Sequence, residues 1–195
     1  MAFVNKQTKE INCKIVFYGP QRSGKTRTLR FIHEQTKPEN RGELISVSAD
    51  DERTLFIDYV PLILGSYQGL RTRLHLYAMP GAPISQMNQR LILKGVDGIV
   101  FVADSSPDRV EDNVESLGGL RNLLAEIKKD PDKIPMVFQY NKQDLPGAIS
   151  AEKLRSLLGA RDVDFASNAR SGQGLFPALK QISKLVLAQV DINGG

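Results

Sequence analysis

The sequence predicts a doubly wound α/β fold, a largely parallel sheet with helices on both faces. Three observations predict it. The runs Ile99-Val100-Phe101-Val102 and Met136-Val137-Phe138 are continuously apolar, as strands buried on both faces must be. Helical patterns lie between the strand candidates, so the two element types alternate along the chain. A glycine turn, Gly19-Pro20-Gln21-Arg22-Ser23-Gly24-Lys25-Thr26, joins the first strand to the first helix. Taken in order, residues 11–18 alternate and end apolar, which gives a strand. Residues 25–35 carry Leu29 and Ile32 at helical spacing. Residues 44–49 and 54–59 are short extended runs. The stretch 37–69 breaks the alternation with Gly42, Pro61, Gly65 and Gly69, and reads as an extra hairpin or a mobile segment. A strand over 70–78, a helix over 85–93 and a strand over 98–104 follow. Residues 108–129 place Val110, Val114, Leu117, Leu120, Leu124 and Ile127 at three–four spacing, which predicts a long amphipathic helix. A strand over 135–141, a helix over 151–158, a short strand over 163–166 and a helix over 177–189 complete the pattern.

Length and composition bound the reading. With 195 residues, one domain over 1–195 is expected, and the chain is long enough for a sizeable core. No apolar run approaches the ~20 residues of a membrane span. The start, Met1-Ala2-Phe3-Val4-Asn5-Lys6, has no apolar signal core, and Ala2 stands where myristoylation requires glycine. The end, Val190-Asp191-Ile192-Asn193-Gly194-Gly195, has no prenylation box. The expectation is a cytoplasmic monomer with no direct membrane anchor, reaching any membrane or scaffold through a partner. Cys13 is the only cysteine, so there is no disulfide framework, and a reducing compartment fits. The formal net charge of +4 is modest. No basic cluster is interleaved with exposed aromatics, which argues against nucleic acid as a partner.

Residues 19–26 have the spacing G-x-x-x-x-G-K-T, and the strand before and helix after are the context in which that spacing forms a phosphate-binding P-loop. Backbone N–H groups curl around phosphates there, and the helix N-terminus adds its positive dipole end. The candidate phosphate-binding residues are Gly19, Gln21, Arg22, Ser23, Gly24, Lys25, Thr26 and Arg27. Lys25 reaches the β- and γ-phosphates, and the Thr26 hydroxyl is placed to ligate Mg²⁺. Further along, Asn141-Lys142-Gln143-Asp144 stands at the carboxyl end of an apolar strand. Guanine presents two donors, N1–H and the exocyclic amine, that a carboxylate at Asp144 accepts; adenine lacks both. Asn141 can brace the loop, and the Lys142 stem can cover the base. GTP or GDP is therefore the expected ligand.

The two motifs in this order resemble a small Ras-like GTPase, and the resemblance covers about 11–189. Asn168-Ala169-Arg170 stands where that family carries a Ser-Ala-Lys base-binding turn, and Gln173-Gly174-Leu175 continues the match. Within it the chain is similar to the bacterial MglA (mutual gliding-motility) family. The segments that carry this likeness are Glu10-Ile11-Asn12-Cys13-Lys14-Ile15-Val16, Asp51-Glu52-Arg53-Thr54-Leu55-Phe56, Leu74-His75-Leu76-Tyr77, Arg90-Leu91-Ile92-Leu93-Lys94-Gly95-Val96-Asp97-Gly98 and Phe101-Val102-Ala103-Asp104-Ser105. The resemblance implies a cytoplasmic polarity and motility switch whose GTP form goes to a cell pole and engages effectors. It also implies a Roadblock-type homodimer, MglB, as activating partner. Thr54 is the implied second Mg²⁺ ligand, and Gly81 offers its N–H to the γ-phosphate. Arg53 is an implied arginine finger acting in cis, a device worth ~10³–10⁵ in rate.

Three departures from the family pattern shape the expected mechanism. After Gly81, where a glutamine usually orients the attacking water, stands Ala82. The third P-loop position, usually glycine, is Gln21, whose side chain crowds the space used by water and finger. Ala78 replaces an aspartate that often helps hold Mg²⁺ water, so metal binding leans on Thr26 and Thr54. The first two predict slow or absent hydrolysis, a switch that binds GTP and rarely clears it. The competing expectations are a competent GTPase stimulated by an MglB-like dimer and completed by Arg53, a rescue in which Gln21 itself, Gln86 or Gln89 orients the water, and a P-loop kinase of a small substrate. The N-K-x-D motif and the absence of an arginine-rich lid argue against the kinase. His33 and His75 are isolated and read as a helix-surface and a strand residue. Asp104, at its strand end, reads as structural.

Overall fold

In the computed structural model, residues 3–47, 57–80, 84–160 and 163–191 are described. The elements are β1 (Phe3–Asn5), β2 (Glu10–Tyr18), α1 (Lys25–Gln35), β3 (Ile45–Val47), β4 (Ile57–Tyr67), β5 (Leu70–Ala78), α2 (Gln86–Leu93), β6 (Gly98–Asp104), α3 (Val110–Glu126), β7 (Met136–Asn141), α4 (Ala151–Leu158), β8 (Asp164–Ala166) and α5 (Leu175–Ala188). The strands form one sheet in the order β3-β4-β5-β2-β6-β7-β8, with β1 beside β2 off this path. From β5 to β8 the pairing is parallel; β3–β4, β4–β5 and β1–β2 are antiparallel. This is the mostly parallel, doubly wound arrangement that the sequence predicts. All seven residues of β6 and all six of β7 are buried, which explains their unbroken apolar runs.

Two cores result. Leu29 and Ile32 of α1 and Leu175, Leu179 and Ile182 of α5 pack with Ile15, Phe17 and Val100 on one face. Leu93 of α2, Leu117, Leu120 and Leu124 of α3 and Leu154 of α4 pack with Val16, Phe101 and Tyr140 on the other. Each such side chain contributes about 1.5–3 kcal/mol on burial. The helices seat closely: a Cβ at Gly98 would lie 2.5 Å from Val186 Cγ2 of α5. Because β2, β6, β7 and β8 are parallel, their carboxyl ends share one edge of the sheet, where ligands of such folds bind.

The structure differs from the sequence expectation in four places. The strand expected over 54–59 runs on to Tyr67, through Pro61 and Gly65; residues 54–56 lie outside the described part. Pro61 is tolerated because the regular β3 ladder pairs only Ile57 to Tyr59; beyond it the chain before β3 meets Pro61 through its carbonyl, which accepts from Gly42 N (2.9 Å), so no N–H is required. Between Ile63 and Ser66 the register shifts, which absorbs Gly65. Gln68 and Gly69, both at positive φ (49° and 80°), close the hairpin to β5 as a two-residue turn. Second, β1 was not expected; the Asn5 side chain accepts from Gln7 N (3.0 Å) and Thr8 N (3.1 Å), turning the chain back onto β2. Third, the helix over 108–129 begins as a 3-10 turn at Pro107–Arg109 and ends at Glu126, with left-handed Lys128 just beyond. Val114 is 48% exposed, and the polar Asn113 is buried in its stead. Fourth, α5 starts two residues before Pro177, where the missing N–H of proline costs nothing in a first turn.

Candidate functional site

The Gly19–Thr26 loop leaves β2 and enters α1. A Cβ at Gly19 (φ 144°) would lie 2.2 Å from Val102 O, so the chain passes directly over β6. Gly24 (φ 104°) would place a Cβ 2.1 Å from Asn141 Nδ2. Only glycine fits both the angle and the space at either position. Arg22 is also left-handed, at φ 63°. Left-handed residues alternating with an ordinary one, as Arg22, Ser23 and Gly24 do, form the backbone cradle that receives anions. Lys25 is 4% exposed, and its Nζ donates to Gly19 O (2.8 Å) and Pro20 O (2.7 Å). Its third N–H remains for a ligand oxygen. Burial pushes the Lys25 ammonium down to about 8. Gln21, Arg22, Gly24, Lys25, Thr26, Arg27 and Arg30 line a cavity of about 420 Å³.

The base motif closes on this loop. Asn141, buried at the end of β7, donates from Nδ2 to Ser23 O (2.7 Å) and accepts at Oδ1 from Ala169 N (2.8 Å). One side chain thus joins the phosphate loop, the N-K-x-D loop and the turn after β8. That turn is held by Asn168 Oδ1, which accepts from Arg170 N (2.8 Å), and by Gly172 N donating to Asn168 O (2.8 Å). Lys142 is left-handed (φ 69°). A second cavity, of about 240 Å³, lies between these loops; Lys142, exposed Asp144, Ala169 and Arg170 line it, and it shares Gly24 and Arg27 with the phosphate cavity.

Beneath both cavities runs a polar network centred on Asp104, 1% exposed at the end of β6. Lys142 Nζ donates to Asp104 Oδ2 (2.5 Å), and Ser106 N (3.1 Å) and Oγ (2.8 Å) donate to Oδ1. The backbone of Asp104 exchanges two hydrogen bonds with the Asn113 side chain. Arg109 approaches Asp104 (3.9 Å), pairs with Asp112, and donates from Nη2 to Gln21 O (2.7 Å). Gln143 Nε2 donates to Ser105 Oγ (2.7 Å) and Ile149 O (2.8 Å), pinning the base loop to the chain after β6.

Of the residues the sequence points to, the structure brings together Gly19, Gln21, Arg22, Ser23, Gly24, Lys25, Thr26, Arg27, Asn141, Lys142, Asp144, Asn168, Ala169 and Arg170 at one sheet edge. Arg53, Thr54, Gly81 and Ala82 lie outside the described residues. Sequence reasoning missed Arg109, Asn113, Gln143 and Arg30. Arg109 bonds the carbonyl of Gln21, 88 positions away, Gln143 reaches Ser105, 38 positions away, and Asn113 bonds the backbone of Asp104, none of which a local spacing signals. His33 faces Gly42 O (3.1 Å), and His75 sits between Tyr59 Oη (2.8 Å) and Asn12 Oδ1 (2.9 Å). Burial, with Arg73 and Lys14 nearby, pushes the His75 imidazole below its ordinary range. No helix among the described residues is long and apolar enough to cross a membrane.

Comparison with known proteins agrees with this geometry. The ADP-ribosylation factor (Arf) family matches residues 73–186, more than half of the chain. The chain is 49% identical to the mutual gliding-motility protein MglA of Myxococcus xanthus over 195 residues, the whole of both. It is 28% identical over 182 residues to ADP-ribosylation factor-like protein 6 of Caenorhabditis elegans, covering 90% of this chain and 86% of that one. It is 33% identical over 107 residues to mouse ADP-ribosylation factor-like protein 4D, half of each chain. With a phosphate loop and a guanine-type base loop meeting on one asparagine, and with these relatives, the chain belongs to the small GTPases of the Arf and MglA kind, a family that binds guanine nucleotide.

Proposed function

We propose that this chain is a GTP-held molecular switch of the MglA type, a single G domain over residues 1–195 that hydrolyses GTP slowly or not at all. One observation carries the nucleotide part: Asn141 fastens the phosphate loop to both base-recognition segments, so the two cavities form one elongated site. Lys25 and the loop backbone hold the 5′ phosphates, Asp144 takes the guanine edge, and the Lys142 stem and Arg170 flank the base. Thr26, half-buried on the first turn of α1 and lining the phosphate cavity, fits a Mg²⁺ ligand. Thr54 is its proposed companion. When bound, Mg²⁺ neutralises charge on the β- and γ-phosphates.

Slow turnover rests on Ala82, which has no group to orient water, and on Gln21, an exposed side chain in the phosphate cavity. Its MglA relative's name connects the chain to gliding motility. On that basis we infer effector control of polarity or motility from the cytoplasm, with recruitment to a pole through partners and a Roadblock-type MglB homodimer among them. The second reading is a competent GTPase that uses Arg53 as a cis arginine finger once MglB engages. The test is to identify the nucleotide that co-purifies, then follow single-turnover hydrolysis of loaded GTP with and without Ala82→Gln. Bound GTP that persists for hours, with turnover restored by the glutamine, supports the held switch. Bound GDP and brisk turnover of the unaltered protein overturn it in favour of Gln21 and Arg53.

A further inference from the structure

Lys142 holds a backbone conformation that lysine disfavours. Its φ is 69°, in the left-handed region where glycine or asparagine fits more easily. Such an angle persists only where the surrounding structure over-determines it. Here the flanks are pinned. Asn141 closes the β6–β7 ladder opposite Asp104, its carbonyl accepts from Ser105 N (2.9 Å), and Gln143 is tied to Ser105 and Ile149. Glycine would meet the backbone demand. The chain has instead a lysine whose ammonium ends on a buried carboxylate.

That carboxylate divides its two oxygens. Asp104 Oδ1 accepts from Ser106 N and Oγ, which fixes the plane of the group. Oδ2 receives Lys142 Nζ at 2.5 Å, with Arg109 further off at 3.9 Å. At 1% exposure Asp104 is shut off from solvent, so its charge needs a cation in place. The Lys142 side chain is 32% exposed, and a long stem of this kind extends into water when nothing holds its end. Drawn down to Asp104, it lines the base cavity with Asp144, Ala169 and Arg170 and takes no part in the phosphate cavity.

We propose that Asp104 is a positioning residue for base recognition: it anchors the Lys142 ammonium, so that the lysine stem stands as a fixed wall of the guanine cavity before nucleotide arrives. The inference rests on the guanine-nucleotide reading above. Without the anchor, the nucleotide itself must order the stem, and the rotamer entropy of one lysine, equivalent to about tenfold in affinity, is lost from binding. The phosphate loop bears none of this cost.

The test is competition against a fluorescent GDP analogue by GDP and by inorganic pyrophosphate, on the unaltered chain, Asp104→Asn, Lys142→Met and the pair, each with a melting curve. Asparagine keeps an oxygen for Ser106, and methionine keeps most of the stem without the ammonium. The expected result is that each single change weakens GDP about tenfold, leaves pyrophosphate within about twofold, and that the pair loses no more than either alone. Unchanged GDP affinity in Asp104→Asn overturns the proposal. An equal loss for pyrophosphate also overturns it, because Asp104 then acts on the phosphate loop through Arg109. Losses that multiply to about a hundredfold in the pair overturn it as well, because the two residues then act separately. If Asp104→Asn does not melt cooperatively, Lys142→Met decides alone by the same GDP and pyrophosphate criteria. Failure of GDP to bind the unaltered chain is a separate outcome that removes the nucleotide reading and this inference with it.

Discussion

Lys25 carries a titration that nucleotide binding must show. Burial holds its ammonium down to about 8 in the free protein, and a phosphate beside it restores the charge. The folded value lies below the ordinary lysine value of about 10.4, so the charged form costs folding stability below pH 8, and that cost is relieved as pH rises toward 10.4. Binding has the opposite sign. Above pH 8 the nucleotide must bring a proton with it, so GDP affinity falls with pH, approaching tenfold per unit between about pH 8 and 10. Titrations at pH 7, 8 and 9 with proton-release buffers check this; a flat profile and no proton uptake would place a charged Lys25 in the free protein. Asp144 gives a second residue-scale prediction. Asp144→Asn lowers GDP affinity about 10²-fold or more, since the amide cannot accept both guanine donors; equilibrium binding of GDP and inosine diphosphate measures it. Much of this site was legible in the sequence, because glycine, lysine and aspartate at fixed spacing are local statements about backbone shape and charge. Arg109 and Asn113 were not: the first works through the carbonyl of Gln21, 88 residues away, and the second takes a core position that helical spacing assigns to an apolar side chain.

At the scale of elements, legibility followed burial. The limits of α1, β5, β6 and α4 agree with the sequence pattern residue for residue, since each is a regular stretch with one period and clear stops. Ser150 caps α4 by accepting from Lys153 N (3.3 Å), and left-handed Gly159 ends it. β4 was half legible. Pro61 and Gly65 look like strand breakers, and only the neighbouring strands show why they are admitted at an edge and a bulge. The short 3-10 turn at Pro107–Arg109 yields a prediction at this scale. Through Arg109 it holds the third position of the phosphate loop against the end of β6. Arg109→Ala speeds GDP release about tenfold, the value of one charge-assisted hydrogen bond, with little change in thermal stability because the side chain is partly exposed. Displacement of a fluorescent GDP analogue, paired with a melting curve, separates the two effects; equal release rates would show the loop to be held by its own strain alone.

At the scale of the molecule, the proposed nucleotide site draws on the segments after β2, β7 and β8, so binding there would report on the whole sheet. Saturation with GDP at about 1,000 times its Kd stabilises the fold by about 4 kcal/mol, a rise of about 8–16 °C in Tm for a chain of this size. Calorimetry with and without nucleotide tests it, and no shift would mean that GDP does not bind the folded chain with that Kd or binds the unfolded chain as well. Asn141 has one more consequence at this scale. By fixing the spacing between loop and turn through two short bonds, it makes the site a caliper. A guanosine and a pyrophosphate offered separately each engage one jaw weakly. The covalent nucleotide gains the effective concentration of a second jaw already set at its own length, an advantage of about 10²–10⁴. Asn141→Ala unlocks the hinge: the fragments bind as before, and the intact nucleotide loses most of its lead over them.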